Sequence, residues 1–187
     1  MRIVGGTYKR RIISPPKNLP VRPTTDLAKE SLFNILANII NLHDKVVADL
    51  FSGTGNISYE FVSRGAEKVL AIEQNFACVK FIRQTAAGFE MNQLSVIQSD
   101  VFRFLKTGTQ AYDVIFADPP YALENIPEIQ SLVFEYNRLK PNGWLIIEHP
   151  KSVDFSECNY FHSLRKYGKV HFSFFQFTEK AGKSHEQ

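Results

Sequence analysis

Asp118-Pro119-Pro120-Tyr121 is the segment of this chain with the most specific chemistry. Two consecutive prolines remove two backbone donors and hold the chain in an extended or turn path. The Pro119 carbonyl cannot be drawn into a helix there and stays available as an acceptor. A carboxylate and such a carbonyl match the two N–H donors of a planar amine whose lone pair is delocalised into a ring. Accepting both donors fixes the nitrogen and draws its lone pair toward an electrophile. Tyr121 adds a flat face on which an extruded base can stack. Asp118, Pro119 and Tyr121 are the candidate catalytic residues. Taken alone, the prolines would fit a plain turn closing a strand.

A second constellation lies upstream. Gly53 and Gly55, in Phe51-Ser52-Gly53-Thr54-Gly55, permit a tight turn and the close approach of a ligand. Glu73 comes 18 residues after Gly55 and can accept both hydroxyl hydrogens of a ribose. With the apolar strand before the loop, these residues point to an adenosine-containing cofactor. A dinucleotide fingerprint needs a third glycine at position 58, which is Ser58 here. Asp49 would also repel a pyrophosphate. It suits the cationic end of S-adenosylmethionine, by direct contact with the ammonium or through water. Asp100 is placed to accept a hydrogen bond from the adenine amino group, and equally to cap a helix beginning at Val101. The expected cofactor contacts are Asp49, Phe51, Gly53, Gly55, Glu73, Asp100 and Val101, with S-adenosylmethionine as the cofactor.

These residues need a scaffold that gathers strand ends. Val46–Leu50 is a short apolar run of the kind found in buried parallel strands. A helix follows near Asn56–Arg64, closed by Gly65, and Val69–Ile72 forms a strand ending at Glu73. A helix over about 75–88, a strand near Leu94–Gln98 and a helix near 100–107 come next. Tyr112–Ala117 runs as a strand into Asp118, and a helix near 125–138 precedes the strand Gly143–Glu148. The alternation predicts a doubly wound, mainly parallel α/β sheet with ligands at its carboxyl edge. Tyr160–Lys166 and Val170–Phe177 flank Tyr167-Gly168-Lys169 with no helix between them, which predicts an antiparallel hairpin. Ahead of the sheet, a helix starts after Pro23. Thr24, Thr25 and Asp26 supply cap oxygens, and Ala28, Leu32, Ile35, Leu36 and Ile39 share one face.

The 187 residues, 44% of them hydrophobic, fit a single domain over 1–187. Cys78 and Cys158 form neither a disulfide framework nor a zinc-ligand pattern, as expected of a reducing compartment. No signal peptide or membrane-length apolar run is evident, so a cytoplasmic protein without a membrane partner is expected. The net charge of +3 is unevenly distributed: residues 1–25 hold six basic side chains and no acid, and the remaining 16 basic and 19 acidic residues are net negative. This arm, roughly 1–23, is expected to pair Ile3-Val4 with Ile12-Ile13 in a short ribbon. Lys9, Arg10, Arg11 and Arg22 are its candidate phosphate contacts. The polar residues 178–187 are expected to fray.

Several stretches together resemble the small, single-domain bacterial 16S ribosomal RNA guanine-N2 methyltransferases. They are Arg2-Ile3-Val4-Gly5-Gly6, Arg22-Pro23-Thr24-Thr25-Asp26, Glu30 with Leu32-Phe33-Asn34, Leu50 through Gly55, Ser63-Arg64-Gly65-Ala66 and Asp118 through Tyr121. The resemblance covers nearly the whole chain. It implies the Rossmann-like class I methyltransferase fold, a seven-stranded sheet with its last strand antiparallel. It also implies methyl transfer to a guanine exocyclic amine in 16S ribosomal RNA or the small ribosomal subunit; a monomer is expected. Arg22, Thr24 and Thr25 are then expected to line the cofactor or target-base entrance, which adds Thr24 to the cofactor contacts. Leu27 and Lys29 stand where many relatives carry arginine, and neither offers arginine's planar fork.

The residues themselves leave neighbouring chemistries open. An adenine-N6 or cytosine-N4 methyltransferase would use the same motif, and only the resemblance selects guanine. A nicotinamide-dependent oxidoreductase is opposed by Ser58 and by the lack of a catalytic His or Lys near the fourth strand. His149 follows the fifth strand, in a position more often structural. A non-catalytic RNA-binding protein would leave Asp118–Tyr121 without a purpose.

Overall fold

The computed structural model describes residues 1–16, 19, 26–168 and 170–178. The elements are α1 (Asp26–Ile39), β1 (Val46–Leu50), α2 (Asn56–Ser63), β2 (Lys68–Glu73), α3 (Phe76–Gly88), β3 (Leu94–Gln98) and α4 (Val101–Thr107). They continue with β4 (Tyr112–Ala117), α5 (Ile126–Glu135), β5 (Leu139–His149), β6 (Phe161–Tyr167) and β7 (Val170–Gln176). The strands form one sheet in the order β3-β2-β1-β4-β5-β7-β6. β1 to β5 are parallel, and β7 runs antiparallel to both β5 and β6. This is the Rossmann-like class I arrangement, with the expected C-terminal hairpin. Gly168 makes the hairpin turn at φ 60.

Successive side chains of a strand point to opposite faces, so each apolar strand feeds two cores. Val47, Val69, Val114, Phe116 and Ile146 meet Leu32, Phe33 and Leu36 of α1, and Ile57, Phe61 and Ile82 of α2 and α3. Ala48, Ile115, Ala117, Leu145 and Ile147 meet Leu105 of α4 and Ile129 and Val133 of α5 on the other face. Burial on both faces is why these strands read as unbroken apolar runs rather than alternating ones.

Two boundaries differ from expectation. α5 stops at Glu135, because Asn137 turns left-handed at φ 50. β5 begins at Leu139 rather than Gly143, pairing Leu139 with Tyr112 before a register shift. Asn142, at φ 61, lies in that irregularity, which hides the continuity of the strand from its residue pattern.

The amino-terminal segment packs as a ribbon. Ile3 N donates to Arg11 O at 3.0 Å and Ile13 N to Met1 O at 2.9 Å, with Ile3 and Ile13 buried. The ribbon runs along α2: Val4 N donates to Glu60 Oε2 at 2.9 Å and Thr7 N to Ser63 O at 2.7 Å. Gly6, at φ +72, allows this approach, since a Cβ there would lie 1.7 Å from the Ser63 carbonyl oxygen.

Candidate active site

β1, β2 and β3 are laid down in one direction from the centre of the sheet and β4 and β5 in the other. The order therefore reverses between β1 and β4, where open α/β sheets bind ligands. The carboxyl ends of the strands around this point carry an acid each: Glu73 on β2, Asp49 on β1, Asp118 after β4 and Glu148 on β5. Register makes the four a row. Asp49 pairs with Ala71 and Phe116, so Glu73 and Asp118 lie two residues beyond its neighbours on the same face. Ala117 pairs with Ile147, which sets Asp118 beside Glu148. All four project from the face covered by α1, α2 and α3.

Between β1 and α2 the chain turns sharply. Phe51, Gly53 and Gly55 have φ of 58, 53 and 81. For Phe51, a residue with a Cβ, this conformation costs about 1–2 kcal/mol, a strain typical of ligand-facing turns. A Cβ on Gly55 would come within 2.8 Å of the Tyr59 ring. Gly53 N donates to Glu73 Oε2 at 2.9 Å and Asn75 N to Glu73 Oε1 at 2.8 Å. Each carboxylate oxygen is thereby oriented and keeps a lone pair for a further donor. Across the cleft, Asp100 caps α4 by accepting from Arg103 N at 2.9 Å. The ring of Phe102 meets that of Phe51 edge-on at 6.4 Å, which brings the Asp100-Val101 segment to the glycine loop.

The row is electrostatically poised. Burial, opposed by the Ser58 hydroxyl that donates to Asp49, raises the Asp49 carboxyl to about 7, with Asp118 and Glu73 adding to the rise. Burial and then the neighbouring Asp118 raise Glu148 to about 8. Buried carboxylates held in this state favour a cationic ligand, whose charge offsets their own. Tyr121 leaves the Asp-Pro-Pro turn with 46% of its surface exposed, and its hydroxyl donates to Glu148 Oε1 at 3.1 Å. Pro119 is buried, and Pro120 O accepts Leu123 N at 2.8 Å, closing the turn.

Asp49, Phe51, Gly53, Gly55, Glu73, Asp100, Val101, Asp118, Pro119 and Tyr121 thus converge on one edge. Arg22, Thr24 and Thr25 lie outside the described residues. Lys9, Arg10 and Arg11 are exposed but not at this edge. Their turn packs beside Ser63, seven residues along α2 from the glycine loop, or about 10 Å at ~1.5 Å rise per residue. Arg11 also lies over the rings of Phe89 and Tyr8, at 5.1 and 5.5 Å. Arg2 lies nearer the start of α2, its carbonyl accepting from Lys29 Nζ and its guanidinium 3.4 Å from Asp26.

Three residues of the site escape a reading of the sequence. Glu148 carried the same signal as Glu73, an acid ending an apolar strand. Ser58 registers in the sequence only as a missing glycine. Lys29 is fully buried and donates to Arg2 O at 2.5 Å and Asn56 Oδ1 at 2.8 Å, tying α1, the ribbon and the start of α2 together. It is therefore not a phosphate contact, while Leu27 is exposed. His149 is buried, with Nε2 2.8 Å from Ser173 Oγ and Nδ1 3.0 Å from Pro150 O, a structural role.

Residues 1–176 match the family model described as Conserved hypothetical protein 95. The chain belongs to this family. Among curated members, the ribosomal RNA small subunit methyltransferase D of Escherichia coli (strain K12) is 32% identical over 148 residues, 79% of this chain and 71% of that one. The protein of the same name from Haemophilus influenzae is 32% identical over 155 residues, covering 81% and 79%. The solved structure of Escherichia coli yhhF superposes with a TM-score of 0.84 at 26% identity, over 96% of this chain and 99% of the other. Among the described residues, no helix is long and apolar enough to cross a membrane.

Proposed function

We propose that this protein transfers a methyl group from S-adenosylmethionine to the exocyclic N2 amine of a guanine in 16S ribosomal RNA. The coarser statement, methylation of small-subunit ribosomal RNA, agrees with the names of its curated relatives. The single observation that carries the chemistry is the row Glu73–Asp49–Asp118–Glu148 along one face of the sheet edge.

S-adenosylmethionine fits the near half of the row. Glu73, held by Gly53 N and Asn75 N, accepts ribose hydroxyls, and Asp49 faces the cationic amino-acid end. The glycine turn gives the backbone close approach, and the Phe51, Asp100 and Val101 segment borders the adenine. Bound there, the cofactor supplies a sulfonium methyl that a nitrogen lone pair can displace.

The chain's own residues do the rest by alignment. Asp118 and the Pro119 carbonyl accept the two N–H groups of the target amine, which fixes its lone pair in line with the methyl carbon. A methyl group accepted from a sulfonium bound there would leave positive charge on the nitrogen beside Asp118, which would stabilise it until one of the two amine protons is released to solvent. Tyr121 stacks on the base.

The test is transfer of radiolabelled methyl groups from S-adenosylmethionine to small-subunit RNA from a strain lacking the gene, followed by nucleoside analysis. The expected product is N2-methylguanosine. N6-methyladenosine or N4-methylcytidine would replace the guanine reading.

A further inference from the structure

A target amine held at Asp118 divides the row in two. The methyl donor occupies the β1 and β2 side, over Asp49 and Glu73, so the ring bearing the amine must extend the other way, over β5. Glu148 is the polar side chain on that path. It is one strand beyond Asp118 on the same face, and its register partner on β7 is Phe172, whose ring lies 6.5 Å from that of Phe116. Phe116 and Phe172 are sealed in the core beneath, so Glu148 is the acid that a base extending this way meets next after Asp118.

That carboxyl is only half used by the protein. Glu148 is 6% exposed, and Oε1 accepts the Tyr121 hydroxyl at 3.1 Å. Oε2 is buried and has no hydrogen-bond partner. A buried carboxylate oxygen without a donor is costly, and a ligand that brings an N–H relieves it.

We propose that Glu148 is the specificity-determining residue, its Oε2 accepting the N1–H of guanine next to the N2 amine. The proposal rests on the guanine reading above and deepens it. The ring atom beside the amine distinguishes the bases. In guanine, N1 beside N2 carries a hydrogen. In adenine, N1 beside N6 is a bare acceptor, as is N3 beside N4 in cytosine. Guanine N1–H can therefore satisfy an ionised Glu148 Oε2, whereas the bare ring nitrogens of the other two amine-bearing bases would need a protonated one. In the ligand-free protein burial and the Asp118 charge raise the Glu148 carboxyl to about 8, and an N1–H donated to it draws it back toward the ionised form. Tyr121 links stacking to reading, since one hydrogen bond fixes both its own ring and the Glu148 carboxylate.

The test uses the full-length protein and the RNA segment surrounding the guanine identified by nucleoside analysis. The same RNA is also made with 2-aminopurine at that position, which keeps the reactive amine and lacks N1–H. Wild type should prefer guanine in kcat/KM by roughly tenfold to a hundredfold. Glu148→Gln retains a carbonyl for the Tyr121 hydroxyl but turns an N–H₂ toward N1. It should lose that preference or reverse it, with unchanged S-adenosylmethionine affinity. Tyr121→Phe should slow both RNAs and keep the preference. A Glu148→Gln variant that still prefers guanine, or one that loses both RNAs equally, overturns the proposal. A wild-type product other than N2-methylguanosine overturns the guanine reading itself, and is seen before any variant is compared.

Discussion

The Ser58 hydroxyl donates to Asp49 Oδ2, from the position where a dinucleotide fold would carry its third glycine. One substitution thus closes the close-packed pyrophosphate turn and fixes a carboxylate for a cation. Ser58→Ala removes the donor and leaves Asp49 more readily protonated. It should weaken S-adenosylmethionine binding by roughly 1–3 kcal/mol, the worth of a hydrogen bond to a buried charged group. Titration calorimetry checks this, and unchanged affinity would remove Asp49 from the cofactor contacts.

Asp118→Ala separates binding from chemistry. Asp118 faces the amine rather than the cofactor in the proposed arrangement, so its loss should lower kcat by roughly 10²–10³ or more while S-adenosylmethionine affinity stays nearly constant. Single-turnover transfer and equilibrium binding measure the two. A large fall in affinity would instead assign Asp118 to the cofactor.

Asp49 and Glu148 also shape stability against pH. Their folded-state carboxyls rise to about 7 and about 8, above the ordinary carboxylate range, so the folded ligand-free protein binds protons that the unfolded chain has released. The associated stability is complete below the unfolded carboxylate values and is lost as pH rises through 7 and 8. Chemical denaturation of the ligand-free protein should show stability declining from about pH 5 to pH 8. The double variant Asp49→Asn, Glu148→Gln should flatten that decline. A wild-type curve already flat across the window would mean that both groups ionise freely.

The sheet and its edge were legible because their signals are local. An apolar run ending in Asp49, Glu73 or Asp118 states both a strand and the residue at its tip. Glu148 went unread although its run ends in the same way, because its meaning depends on β5 lying beside β4, a pairing between segments some 30 residues apart. The burial of Lys29 was illegible for a related reason. A lysine on an amphipathic helix reads as solvated, and the docked ribbon, Asn56 and Glu60 together make its interior position tolerable. The basic arm shows the converse: its charge was plain, but its path along α2 follows from Gly6 meeting the Ser63 carbonyl, which no charge count contains.

Lys29 should be a strong stability determinant. Its ammonium lies 3.9 Å from Glu60 Oε2 with both side chains fully buried, and Glu60 also receives Arg64 Nε at 2.8 Å and Val4 N at 2.9 Å. Removing one member of a buried pair strands the other charge, so Lys29→Met should destabilise by about 3 kcal/mol or more. Adding Glu60→Gln to it should cost less than the sum of the two single variants. Denaturant midpoints decide this, and strict additivity would show that Glu60 is balanced by Arg64 alone.

The ribbon's charges sit about 10 Å along α2 from the reacting edge, so they can hold RNA without touching the target base. Replacing Lys9 and Arg10 by alanine should weaken RNA binding evenly across sequences and leave kcat at saturating RNA unchanged. Each lost phosphate contact lowers the slope of log affinity against log salt by about 0.7–0.9, so the pair should reduce it by roughly 1.5. Arg11→Ala is expected to differ, because its guanidinium also covers Phe89 and Tyr8 and its loss loosens the ribbon. It should lower the melting temperature as well as the slope, whereas the Lys9 and Arg10 pair should lower only the slope. Filter binding across a salt series, paired with thermal melts, reads both quantities. An unchanged slope for the pair would move the RNA track away from the Lys9 and Arg10 turn.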